Sequence, residues 1–227
     1  MCGKFTQMAS WRQIHQWSDL LGQGRPDGGD ADAELLVTPM RAAQVLHLDA
    51  MGRRATSAMR WGFPGPQAAG SQDPPKFIHA RAETVDSKPT FAESFRERRG
   101  IVPVRSFNEG ETVGRRIVQH RIRPKDGKPL GIAVIWREWL FPDGEILDCF
   151  VMITVEPNSL IRTITDRMPA ILAEGDWPTW LGETPASREE IKALLRTVEG
   201  DWEMVRESPR TTGKGKADRP PPDPLLF

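Results

Sequence analysis

Cysteine is scarce in this chain: Cys2 and Cys149 are its only two in 227 residues. Two cannot build a disulfide framework or a zinc set. An excess of either charge is also missing, with 31 Lys and Arg against 31 Asp and Glu. Balanced charge excludes a protein that coats long stretches of duplex, while leaving room for a local basic cleft. No segment reaches the roughly eighteen consecutive apolar residues of a membrane span, and the N-terminus lacks the apolar core of a signal peptide. A soluble, cytoplasmic, monomeric protein with no membrane partner is the expectation, with one core and one domain at this length.

What is present reads as many short strands and few helices. Residues 3–7 are strand-like, and a helix follows, with Ser10 and Gln13 at capping-box spacing and Gly22 as its stop. Residues 23–34 are a Gly/Asp-rich loop. Strands are predicted over 45–48, 56–63, 100–104, 116–123, 131–139 and 146–155, with Asp143-Gly144 as the turn of the last hairpin. A helix capped by Thr90 with Glu93 precedes the 100–104 strand. Two more helices are predicted, over 176–181 and from the Ser187/Glu190 capping box to Val198. Without a βαβ alternation the fold class is α+β, not a doubly wound sheet. From residue 208 onward Pro, Gly, Lys and Arg dominate, predicting a disordered Pro-rich tail over 208–227 behind a domain of residues 1–207.

The chemistry concentrates at the start, Met1-Cys2-Gly3-Lys4-Phe5-Thr6-Gln7. Removal of Met1 would give Cys2 an α-amine and a thiol on adjacent carbons. That aminothiol condenses with an aldehyde to an imine, which the thiol then closes to a five-membered thiazolidine. An amine titrating at about 8 and a thiol at about 8.5 leave a useful fraction of each unprotonated near neutrality. Gly3 lets a substrate approach the backbone closely. The plain alternative is that Met-Cys-Gly is only how the chain begins. Cys149, inside the apolar run 146–153, reads as a buried structural thiol.

Several segments together resemble the SOS response-associated peptidase family, whose members shield abasic sites in single-stranded DNA. They are Met1-Cys2-Gly3-Lys4-Phe5, Trp61-Gly62, Ala80-Arg81-Ala82-Glu83-Thr84, Val102-Pro103 with Glu109, Trp136-Arg137-Glu138-Trp139, Asp166-Arg167-Met168-Pro169-Ala170-Ile171-Leu172 and Ser208-Pro209-Arg210. They run in the right order along nearly the whole chain. The resemblance implies a bifurcated, mostly antiparallel sheet curled into a pseudo-barrel and flanked by short helices. It also implies a shallow positive groove for single-stranded DNA with Cys2 at its base, a nucleoid-associated location, and no metal or organic cofactor. A ring-opened abasic site is an aldehyde, so Cys2 would crosslink to it. The one proteolytic act would be release of Met1, by the protein itself or by an aminopeptidase.

Departures from the family pattern matter as much. The family usually has Asn where this chain has His79, His where it has Thr165, and Arg where it has Lys4. Arg105-Ser106-Phe107-Asn108-Glu109-Gly110 lacks the family's acidic, glycine and aromatic pattern, though Glu109 survives. Glu109 is the candidate acid/base near the Cys2 amine. His79 either supplies the imidazole missing at Thr165, which cannot act as a base, or is an ordinary strand histidine. DNA contact is expected through phosphates, from Lys4, Arg81 and Arg167, with Arg41 and Arg60 as secondary candidates. Trp61, Pro39 and Met40 are candidates for stacking or wedging against bases, Trp61 having core burial as its alternative. Two other functions stay open: a single-stranded DNA-binding module with impaired chemistry, and an N-terminal-nucleophile peptidase or amidase.

The tail ends Pro220-Pro221-Pro222-Asp223-Pro224-Leu225-Leu226-Phe227. Its prolines hold the last three apolar residues clear of the domain. The ending resembles short motifs that bind sliding clamps, without the Gln that usually opens them. Leu225, Leu226 and Phe227 therefore either dock on a clamp, pack back on the domain, or hang free.

Overall fold

Strands build nearly everything in the computed structural model, which describes residues 2–8 and 34–207. Twelve strands make one sheet: β1 (Lys4–Met8), β2 (Glu34–Val37), β3 (Ala42–Leu48), β4 (Arg54–Trp61), β5 (His79–Arg81), β6 (Arg99–Val113), β7 (Arg116–Pro124), β8 (Leu130–Leu140), β9 (Ile146–Val155), β10 (Met168–Pro169), β11 (Ile171–Leu172) and β12 (Trp202–Arg206). Three short helices accompany them: α1 (Pro89–Glu97), α2 (Trp177–Leu181) and α3 (Arg188–Ala193). This is the expected α+β class. Pairing is antiparallel except where β9 runs parallel to β4 and to β5.

The sheet forks at β6. Its first half, from Arg99 to Val104, pairs with β8, and Leu46 of β3 pairs with Ile101. Its second half, from Phe107 to Val113, pairs with β7, while Ser106 to Asn108 also face β1 on the other edge. Strands β8, β9, β4, β3 and β6 close into a ring of five. Ile101, Val102, Val134, Ile135, Val151 and Ile153 are fully buried, as expected of strands covered on both faces.

Strand β1 enters this frame through a bulge between Thr6 and Gln7. Gln7 is buried there, and its amide bonds both backbone groups of Gln44 on β3, with each bond at 2.8 Å. The side chain thus replaces ladder bonds that the bulge removes. That explains how a buried amide is accommodated in this strand.

Two local expectations need correction. Helix α1 is capped at Lys88, with Pro89 in the first turn and no side-chain cap, so Thr90 lies inside it. Proline at the first helical position supplies the start signal that Thr90 was expected to give. Helix α3 begins at the Ser187/Glu190 capping box as expected but ends at Ala193, not Val198. The expected helix over 10–22 and tail over 208–227 lie outside the described residues, as does the expected loop over 23–34 except for its last residue, Glu34, which opens β2. No helix among the described residues is long and apolar enough to cross a membrane.

Gly62 ends β4 in a conformation only glycine tolerates, at φ 119°. A Cβ there would stand 2.4 Å from the Cβ of Pro75. Gly62→Ala combines left-handed strain with a clash against a rigid ring, so it is expected to cost about 3 kcal/mol in denaturant unfolding.

Candidate active site

Cys2 sits immediately before β1, and the pairing of Lys4 with Asn108 lays this entry beside the forked end of β6. Its side chain is fully buried, and its thiol donates to the Lys4 carbonyl at 3.2 Å. Burial, reinforced by the nearby Glu109 charge, pushes this thiol far above its usual range. The expected partly ionised thiol is therefore corrected: desolvation disfavours the thiolate here. Gly3, in contrast, is exposed, and a Cβ on it would meet nothing within 4 Å. Open space begins one residue beyond the buried sulfur.

Glu109 is the next residue along β6 after Asn108, and only 1% of it is exposed. Burial pushes its carboxyl up to about 7, while the nearby amino terminus of the chain and the Cys2 backbone N–H pull it down. The neighbouring charge of Asp166 pushes the same way as burial. Glu109 thus lies close to the backbone nitrogen of Cys2.

His79 opens β5 and lies close to the Cys2 backbone, which pulls its imidazole upward in pKa against burial. Burial pushes the imidazole down to about 4, so it is neutral near pH 7. Its Nε2 is buried without a hydrogen-bond partner. The indole of Trp61 packs edge-on to this ring at 6.0 Å. Glu109 and His79, which are 30 positions apart in sequence, lie on either side of the Cys2 backbone.

The remaining expected residues separate into surface and interior. Arg81 and Arg41 are exposed. Lys4 is bound to Glu207, 203 positions away, just after β12. Arg167 is buried, with Glu83 held by two bonds at 2.7 and 2.9 Å, Glu156 at 3.2 Å and the Thr154 carbonyl at 2.6 Å. Arg60 is buried too, over the ring of Phe141 and donating to the Ser71 carbonyl. Trp61 takes its core alternative: it is fully buried, stacks on Phe150 at 6.3 Å, and donates its Nε1–H to the Ile78 carbonyl at 2.9 Å. Thr165 is half-buried and precedes Asp166, whose charge reaches Glu109.

Pro39 and Met40 occupy the tight turn from Thr38 to Arg41, closed by an Arg41 N–H to Thr38 carbonyl bond of 3.0 Å. Met40 has φ 72°, the only positive φ of a non-glycine residue among those described. Its own N–H is fixed on the Trp61 carbonyl at 2.9 Å. A partly exposed methionine held in the left-handed region is backbone strain of the kind that collects at functional sites. Sequence reasoning missed Asp166 and Glu207 as neighbours of the site, because their relevance depends wholly on the fold. Cys149 is buried, its thiol pushed up to about 11 by burial, as fits a structural residue. No group of three potential metal ligands occurs among the described residues.

Cys2 therefore lies between a buried carboxyl and an imidazole. The chain belongs to the SOS response associated peptidase (SRAP) family, whose model matches residues 1–210. It is 30% identical to the abasic site processing protein YoaM of Bacillus subtilis, covering 88% of each chain. It is 29% identical to YoqW of the same organism, also named an abasic site processing protein, over 88% of this chain and 89% of that one. A crystal structure from Bacteroides thetaiotaomicron shares the fold at TM-score 0.75 and 23% identity, covering 92% of this chain and 93% of that one. A second, from Bordetella bronchiseptica, does so at TM-score 0.72 and 19% identity over 91% of this chain.

Proposed function

We propose that this protein, after loss of Met1, binds single-stranded DNA and joins Cys2 covalently to the ring-opened aldehyde of an abasic site. The observation that carries the reading is that Cys2 lies beside Glu109, a buried carboxyl poised to about 7. An acid/base group should titrate near the working pH, and this one faces the reacting nitrogen. The names of the relatives, abasic site processing proteins, supply the substrate class.

The steps balance without a cofactor. The Cys2 amine adds to the aldehyde carbon, and Glu109 carries one proton from the nitrogen to the alkoxide oxygen, giving a carbinolamine. A second proton carried the same way from nitrogen to the hydroxyl releases one water and leaves a neutral imine. The thiol sulfur adds to the imine carbon, its proton passes to the nitrogen, and the thiazolidine closes. Because the thiol is held protonated, ring closure begins from S–H, and a base must remove that proton as the C–S bond forms. His79, neutral and with an unpartnered Nε2, suits that role or a hydrogen bond to the opened sugar. Arg81 and Arg41 are the cations exposed for phosphate contact, whereas Arg167 reads as a positioning residue that ties Glu83 to β9 and β10.

The test mixes Met1-free protein with a single-stranded oligonucleotide carrying one abasic site, followed by a denaturing gel. A shifted band that disappears in Cys2→Ser is expected. DNA retention without any covalent band would select the binding-only reading. A silent oligonucleotide with turnover of small amides would select the peptidase.

A further inference from the structure

A cavity of about 370 Å³ lies between α1 and the segment joining α2 to α3, built by residues other than those around Cys2. Its apolar wall is made by Ala92, Phe95, Pro185 and Ile191. Its polar wall carries three arginines, Arg96, Arg99 and Arg188, against one acid, Asp86. That acid is already neutralised twice, by Arg188 at 2.7 Å and by Lys192 at 2.8 Å.

Arg99 is the informative member. Its Nε donates to the Trp180 carbonyl at 2.5 Å, and its Nη1 donates to the Phe95 and Arg96 carbonyls at 2.8 and 2.7 Å. Those three bonds lock the guanidinium plane and leave the Nη2 edge, with its two N–H groups, outside them. That edge turns toward Gly182, where an added Cβ would stand 3.3 Å from Nη2. Gly182 has φ 101° and no side chain, so the backbone turns away and leaves the cavity open in front of the cation. Arg96 adds a mobile charge, since its exposed pairing with its neighbour Glu97 is weak.

A pre-oriented guanidinium beside an apolar wall, in a space of a few hundred cubic ångströms, is the make-up of a small-ligand site. We propose that this cavity binds a small organic anion, with its carboxylate, sulfonate or phosphate head on the Nη2 edge of Arg99 and its apolar or aromatic body on Phe95 and Ile191. The site is separate from the Cys2 chemistry and stands or falls without it.

The test is a fluorescence titration of the whole protein with 8-anilinonaphthalene-1-sulfonate, an aromatic body bearing an anionic head, at fixed ionic strength. One saturable site is expected. Ala92→Phe, which fills the cavity from α1, and Arg96→Ala should each weaken it at least tenfold while leaving thermal unfolding and abasic-site crosslinking unchanged. Competition separates the head groups: phenyl phosphate displacing the probe better than benzoate assigns a phosphate-bearing ligand, the reverse a carboxylate, and uncharged naphthalene should displace neither. No saturation, or saturation untouched by both substitutions, would overturn the proposal.

Discussion

Glu109→Gln is expected to slow crosslinking to an abasic site by about 10²- to 10⁴-fold, the range typical of a positioned general acid/base. Gln keeps the size of the side chain without its titrating proton, so the loss isolates proton transfer from packing. The wild-type rate should bend near pH 7, where the buried carboxyl titrates, and the bend should vanish in the variant. A variant that reacts at the wild-type rate with the same pH profile would remove Glu109 from the chemistry.

His79→Asn is the second large effect. If His79 provides the imidazole absent at Thr165, its loss should cost a comparable factor of about 10² to 10⁴, in forming or reversing the crosslink. Thr165→His in that background should then recover much of it. An unchanged rate in His79→Asn would make the residue structural, a wedge between Trp61 and the Cys2 backbone.

The same two residues leave opposite marks on stability. The Glu109 carboxyl is raised from an ordinary 4.5 to about 7, so between those values the folded state holds a proton that the unfolded chain releases. Its contribution falls as pH rises through that window. The His79 imidazole is lowered from 6.5 to about 4, so there the unfolded chain binds the extra proton, and stability rises with pH. Over the shared window, from about pH 4.5 to 6.5, the slopes oppose each other and wild-type stability should be nearly flat. Glu109→Gln should expose the rising limb and His79→Asn the falling one, each amounting to about 3 kcal/mol over its full span in urea unfolding series. Parallel pH profiles in all three proteins would contradict the burial of both groups.

Much of the fold was legible in the chain, because the signals were local. The β-rich α+β character, the Asp143-Gly144 turn and the Ser187/Glu190 cap each depend on residues within a few positions of one another. The family motifs, too, survive as short runs. Helix boundaries failed where two start signals competed: Pro89 and Thr90 are adjacent, and the ring constraint of proline set the start.

The sequence by itself determined the chemistry available at the N-terminus: an aminothiol next to a glycine, with one carboxyl and one histidine as plausible proton carriers. What those groups do was decided by tertiary structure alone. Spacing along the chain cannot show that Glu109 and His79 come to either side of Cys2, because β6 and β5 join the site through different strand neighbours. Nor can composition distinguish an arginine offered to phosphate from one buried in ion pairs. Arg81 and Arg167 look alike in their motifs, yet one is exposed while the other is enclosed by Glu83, Glu156 and a strand carbonyl. Charge and pKa depend on desolvation and on partners, and both are properties of the folded neighbourhood rather than of the residue.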